Sequence, residues 1–372
     1  MYLLERILAL FTYSAILYII CLLIAKLDRK YIGRILTIYL LVLTIMAFFY
    51  VPPSGADLYR LIPIMKIWAS LNFQELWHEM LHSSTPINLI YMHIIGQTKI
   101  DGLLPAITAF IFFRNVFYIL KSSVYKYNIS SPNAALVLFF FMSLGVFIEV
   151  ISGIRTMLGF SIIAVCVYQE MIEKKFILKN IFWYIIASLI HPAVLVLTLI
   201  RFSYLIFEGS KSNYQRISKM FVILIALVLL FVFGEEYLLS SVDKAKYYIF
   251  YGTFSYFWEY LIGVISLLFI FYLILLVSKL RKLEDDMDSI HNLIGFCKYL
   301  IILIILFSFE YNTFHRFVIF LSIIAIPLLI YVLKSSDYIK TNFKVMTLIL
   351  SGLLLLIACA RGNLTSLKFF IF

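Results

Sequence analysis

Charge is what this chain is short of. Only 14% of its 372 residues are Asp, Glu, Lys or Arg, while 63% are hydrophobic and 17% aromatic. No water-soluble core of this length needs that balance or a mean hydropathy of +1.01. The four cysteines (Cys21, Cys166, Cys297 and Cys359) lie within or at the edge of apolar runs, with no CxxC spacing and no histidine cluster beside them. That argues against a disulfide framework or structural zinc. No soluble domain interrupts the series of apolar runs, and no convincing internal repeat is visible. The first run, 4–25, is too long for a signal-peptide core and lacks a small-residue cleavage site before Lys26, so it is expected to stay as an anchor.

What is present is a polytopic membrane protein. Spans are expected at 4–25, 34–51, 102–120, 132–150, 154–172, 178–190, 192–207, 219–233, 257–278, 297–311, 314–333 and 344–360, about 12 in all, several short or broken. Pro86 to Gly96 is too short to cross and reads as a half-helix dipping in from outside. The fold class is therefore an all-α polytopic integral membrane protein, with 1–372 as one transmembrane domain. Segments 52–101 and 234–256 form its outer rim.

The formal charge of +11 reflects topology rather than nucleic-acid binding. With the N terminus outside, the cytoplasmic loops at 26–34, 121–131, 172–180, 201–219, 279–298 and 334–344 hold 20 of the 31 basic residues, and Arg114 is left inside the membrane. That parity favours a hairpin turning at His191-Pro192 over one long kinked helix across 178–207.

The segment 52–85 is amphipathic. Leu58, Leu61, Ile62, Met65 and Trp68 recur at helical spacing, and so do Phe73, Leu76, Trp77, Met80 and Leu81 after Asn72. Both helices are expected to lie on the outer leaflet. The segment 234–256 is rich in tyrosine (Tyr237, Tyr247, Tyr248, Tyr251 and Tyr256), which suits an ordinary aromatic belt or a platform for a sugar.

Two motifs imitate enzyme chemistry. His78-Glu79-Met80-Leu81-His82 fits the zinc-binding H-E-x-x-H, but amphipathicity alone places Glu75, His78, Glu79 and His82 on one polar face, and Asp101 is the only nearby third ligand. Asp286-Met287-Asp288 imitates the D-x-D of nucleotide-sugar transferases, yet its loop has no room for a nucleotide-binding domain. A solvated acidic face accounts for it.

The stretch from Glu149 to Pro192 carries more. Arg155 opens an apolar helix, where an arginine at helix centre costs about 2.5–3.5 kcal/mol on insertion scales, so one kept at depth needs a partner or a wet cavity. At about 1.5 Å per residue, Arg155 stands roughly 28 Å from Lys174 and Arg316 about 27 Å from Lys334, which puts both at the outer boundary. Arg60 is outside by topology. Asp57, Glu149, Glu310 and His315 share that level, and His191 lies about 18–24 Å above Lys175 or Lys179, reachable only if a cavity dips inward. Taken singly, an outer-end arginine can snorkel to headgroups and a buried histidine before proline can hold a broken helix by a side-chain hydrogen bond, but snorkelling bases should collect on the cytoplasmic side. Outer arginines suit an anionic ligand such as a pyrophosphate, which a guanidinium grips bidentately.

Four motifs together carry a resemblance: Gly55-Ala56-Asp57-Leu58-Tyr59-Arg60, Ile154-Arg155-Thr156-Met157-Leu158-Gly159, Ile185-Ile186-Ala187-Ser188-Leu189-Ile190-His191-Pro192, and Phe314-His315-Arg316-Phe317 followed by Pro327. In order and spacing over nearly the whole chain, the sequence resembles the EpsG / Wzy-like O-antigen and exopolysaccharide polymerases. The resemblance implies an inverting membrane glycosyltransferase at the outer face of the bacterial cytoplasmic membrane. It would join oligosaccharide repeat units carried on undecaprenyl pyrophosphate, with no cofactor and no metal.

Under that reading Arg155 and Arg316 clamp the leaving pyrophosphate, with Arg60 as a third candidate, and His191 or Asp57 removes the acceptor proton. Tyr59, Arg60, Glu149, Glu310, His315, Tyr247 and Tyr248 are the candidates for substrate binding. Expected partners are the lipid-linked oligosaccharide, the bilayer, a chain-length regulator and a flippase, with no nucleic acid. The rival readings are an O-antigen ligase, whose large external loop would sit later than 52–85, a flippase or other transporter, and an intramembrane metalloprotease through His78, Glu79 and His82.

Overall fold

Apolar runs bounded by charges become helices because hydrocarbon offers backbone amides no partner outside the segment. A computed structural model describes residues 2–54, 56–175, 178–207, 257–280, 287–308, 310–334 and 337–360. In chain order its helices are Tyr2–Lys26 (α1), Ile32–Phe48 (α2), Asp57–Ala69 (α3), Phe73–His82 (α4), Pro86–Gly96 (α5), Leu103–Tyr127 (α6), Ser131–Met142 (α7) and Val146–Ser152 (α8). They continue as Ile154–Met171 (α9), Leu178–Ser188 (α10), Pro192–Phe207 (α11), Phe257–Leu280 (α12), Met287–Leu306 (α13), Tyr311–Lys334 (α14) and Asp337–Ala360 (α15). Among the described residues, eight helices are long and apolar enough to cross a bilayer, or nine if α7 and α8 are one bent span. The segments expected as spans at 178–190 and 192–207 form the shorter helices α10, of 11 residues, and α11, of 16, which are not among those eight. The expected span at 219–233 and the tyrosine-rich segment 234–256 lie outside the described residues, as does Asp286.

The core forms around α14. Every residue from Phe317 to Leu333 is buried, as expected of a helix apolar on all sides. It packs against α6, α7, α9, α12, α13 and α15.

Three departures from straight spans shape one end of the bundle. The expected span 132–150 is broken, because Gly145 adopts a left-handed φ of 72° after α7 and α8 leaves at a 50° bend. The helix at 86–96 has the expected bounds and passes beneath α3, where its His93 Nδ1 and Gln97 Nε2 meet the final carbonyls of α3 at Trp68 (2.8 Å) and Ala69 (2.6 Å). As a result α3 does not rest on the leaflet by its apolar face: Leu58, Leu61 and Met65 are buried in the protein. Only α4, held by a capping box between Asn72 and Glu75, leaves Phe73, Trp77 and Leu81 exposed.

The third departure is the hairpin α10–α11. Ser188 Oγ donates to Thr198 Oγ1 at 2.9 Å, and Tyr184 lies against Phe202 with ring centroids 5.5 Å apart. The two helices therefore run antiparallel from a turn at His191. Their far ends are tied to α9 by Glu170, which accepts from Asn180 (3.1 Å), Tyr184 (3.0 Å) and both Nε and Nη2 of Arg201 (3.0 and 2.8 Å). Both charged side chains are only 4% exposed. Removing one partner of such a pair strands the other charge in a low dielectric and costs about 3–5 kcal/mol, whereas an apolar pair of similar volume costs little. Glu170→Gln is accordingly expected to lower the melting temperature of the purified protein sharply, and Glu170→Met combined with Arg201→Leu to recover most of it.

Candidate functional site

One cavity of about 380 Å³ opens at the end of the bundle where α3, the start of α9, the hairpin turn, the end of α13 and the start of α14 meet. Each element presents a single helical face to it. From α3 come Asp57, Arg60, Leu61 and Ile64, spaced i, i+3, i+4 and i+7; from α14 come Asn312, Thr313, Arg316 and Phe317. Arg155 and Thr156 enter from the first turn of α9, and His191 from the hairpin tip. Asp57, Arg60, Arg155, His191 and Arg316, gathered from 260 residues of chain, thus line the same recess.

Arg316 is the hub. Its Nη2 donates to Asp57 Oδ2 at 3.0 Å and its Nε to Glu149 Oε2 at 3.4 Å, with the side chain 16% exposed. Arg60 pairs with the other oxygen of Asp57 from a largely solvated position. Gly153, at the break between α8 and α9, makes room for the hub: a Cβ there would stand 3.1 Å from both Cζ and Nε of Arg316. Burial alone would raise the Asp57 carboxyl, but Arg316 and then Arg60 outweigh it and hold the group below its ordinary 3.8.

The ring of His191 is fixed by its neighbours. Nδ1 accepts the Ala193 backbone N–H at 3.2 Å and lies 3.5 Å from Thr156 Oγ1. With Nδ1 accepting, the neutral ring carries its proton on Nε2. Opposite this polar side is an aromatic wall in which Phe317 stacks on Phe160 at 5.5 Å and meets Phe307 at 5.6 Å. Three arginines and two carboxylates leave a net positive charge beside an apolar wall, which is chemistry for an amphiphilic anion.

Other candidates from the sequence sit elsewhere. Glu310 is engaged at the start of α14, where it accepts from the backbone N–H of Asn312 (3.1 Å) and Thr313 (2.5 Å) and from Asn312 Nδ2. His315 is fully buried behind the site and stacked on Tyr311 at 5.6 Å; neither ring nitrogen has a hydrogen-bond partner among the described residues. Tyr59 is 52% exposed on the outer side of α3. Tyr247 and Tyr248 lie outside the described residues. Asp101, the proposed third ligand of the H-E-x-x-H motif, pairs with Lys66 at 2.7 Å. His78 and His82 lie with ring centroids 4.4 Å apart on exposed α4, and no group of three potential metal ligands forms among the described residues. Sequence reasoning missed Gly153, whose signal was a lone glycine between two apolar runs. It also missed the phenylalanine wall, which 35 phenylalanines conceal.

An all-helical, multi-pass membrane protein with an arginine-lined recess at one end of its bundle is the class that fold and site define. The chain belongs to the EpsG family, whose model matches residues 86–369. Membership suggests a polysaccharide-polymerase role with glycosyltransferase-like chemistry. Glu149, Arg155, His191 and Arg316 fall within the match, whereas Asp57 and Arg60 precede it. No curated protein and no solved structure matches the chain.

The sign of the pH dependence at Asp57 follows from its lowered value. The ion pair is fully present above about pH 3.8 and is lost as pH falls through the lower folded-state value. Asp57→Asn is expected to cost about 1–3 kcal/mol at pH 7. The gap between the melting curves of variant and wild type should close below pH 3.8, and coincident curves at pH 7 would contradict the pairing.

Proposed function

We propose that the protein is a polysaccharide polymerase that joins oligosaccharide repeat units carried on undecaprenyl pyrophosphate, working in a recess that faces outward from the bacterial cytoplasmic membrane. The observation that carries this is the convergence of Asp57, Arg60, Arg155, His191 and Arg316 on one cavity with an apolar wall. The excess of basic residues in the loops at the opposite end supports the outward orientation.

In this scheme the acceptor hydroxyl attacks the anomeric carbon of the donor. The new carbon–oxygen bond forms as the bond to the pyrophosphate oxygen breaks, and the negative charge that develops on the leaving group falls on Arg155 and Arg316. The aromatic wall takes the first part of the lipid chain. An incoming diphosphate competes with Asp57 for Arg316 and Arg60. As those guanidinium groups turn to the phosphates, the Asp57 carboxylate loses the two partners that depress its basicity and becomes the acceptor for the hydroxyl proton. With Nδ1 already accepting from Ala193, His191 serves as a hydrogen-bond donor through Nε2 and orients a sugar or phosphate oxygen. Delivery of units by a flippase and control of length by a separate regulator belong to the same proposal.

Two measurements test the scheme. In a deletion strain complemented with variants, Arg155→Lys and Arg316→Lys should each reduce long polymer by about 10²–10³, because a point charge does not reproduce a bidentate fork; full-length polymer from either variant would remove that residue from the reaction. In a reconstituted assay, Asp57 as base leaves kcat/KM without an acidic limb near pH 6.5, whereas a limb there would transfer the role to His191.

A further inference from the structure

Arg114 is a charge that the cavity does not use. It stands in the middle of α6, about 16 Å along the axis from Leu103 and about 20 Å from Tyr127 at roughly 1.5 Å per residue. The ends of α6 are fixed by its antiparallel neighbour α2. Gly102 abuts the Phe48 backbone, Lys121 lies beside Gly33, and Tyr125 donates to the Arg29 carbonyl at 3.1 Å. Two turns of helix therefore separate Arg114 from Lys121, the next basic residue toward the Tyr127 end.

Other arginines within the bundle are engaged: Arg201 with Glu170 and Arg316 with Glu149 and Asp57. Arg114 is exposed, and no hydrogen bond or ion pair is made to it among the described residues. On the same face Phe110, one turn earlier, is 38% exposed and Ile107 and Ile111 are half-buried, while Tyr118, one turn on, donates to Glu173 at 2.6 Å. An arginine facing hydrocarbon at this depth is unfavourable unless something anionic meets it. Lipid phosphates lie at the membrane surface, about 15 Å from the midplane.

We propose that the outward face of α6 around Arg114 docks a transmembrane helix of a second protein that carries an Asp or Glu at mid-bilayer depth. A second copy of this chain does not satisfy the site. A two-fold axis passing through this face would oppose arginine to arginine. Among the described residues, the carboxylates Glu149, Glu170, Glu173 and Glu310 are already engaged with Arg316, with Arg201, with Tyr118 and Lys175, and with the first amides of α14. The partner's acid would be buried by association and paired with the Arg114 guanidinium.

The full chain with Phe110 replaced by the photo-crosslinking residue p-benzoylphenylalanine, expressed in its own host membrane, tests this. Illumination should give an adduct to one integral membrane protein. Arg114→Leu should reduce that adduct at least tenfold without lowering the melting temperature, since leucine suits a lipid-facing position. Exchanging the charges, Arg114→Asp here and the acid to Arg in the partner, should restore it. Adducts to lipid alone, adducts to a second copy of the chain, an adduct undiminished by Arg114→Leu, or failure of the exchange to restore it would each overturn the proposal.

Discussion

The structure around the cavity depends on one guanidinium shared between two carboxylates. Arg316 sits at the top of the most deeply buried helix, and a lone arginine there would be poorly tolerated. Asp57 from α3 and Glu149 from α8 meet it from two sides, so that one side chain ties together a surface helix, a bent span and the core helix. Gly153 follows from the same constraint, since any larger residue would displace the guanidinium from the break it occupies. A buried charge answered only by such partners is an effective way to fix position, because each alternative arrangement leaves a charge unpaired.

A second buried pair sets the other side of the recess. Arg155 and Thr156 lie at one end of α9 and Glu170 near the other, about 22 Å away along the axis. Glu170 holds the base of the hairpin while Thr156 stands beside its tip at His191. The spacing along one helix thus sets how far the hairpin rises and where the imidazole lies. The close approach of the two helices is allowed by Gly159, where a Cβ would come within 2.4 Å of the Val194 side chain.

Much of this was legible in the sequence because charge is so rare in it. Arg155, His191 and Arg316 stood out against apolar runs, and the parity of basic loops already favoured a hairpin at His191-Pro192. What was not legible depended on backbone conformation or on partners distant in the chain. The bend after α7 rests on the positive φ of one glycine. The docking of α3 on α5 rather than on lipid rests on two side chains, His93 and Gln97, that cap its last carbonyls. Glu170 and Arg201 are 31 residues apart and give no periodic signal, and Glu310, a candidate for substrate binding by its level alone, accepts from the amides of its own helix start.

The account rests on the arginines of the recess gripping a diphosphate, and equilibrium binding of undecaprenyl diphosphate to the purified protein tests that most directly. Stoichiometric binding that weakens at least tenfold in Arg155→Ala and in Arg316→Ala, a loss of about 1.4 kcal/mol or more, is the predicted result. Unchanged affinity in both variants, or no binding to the wild-type chain, would contradict it.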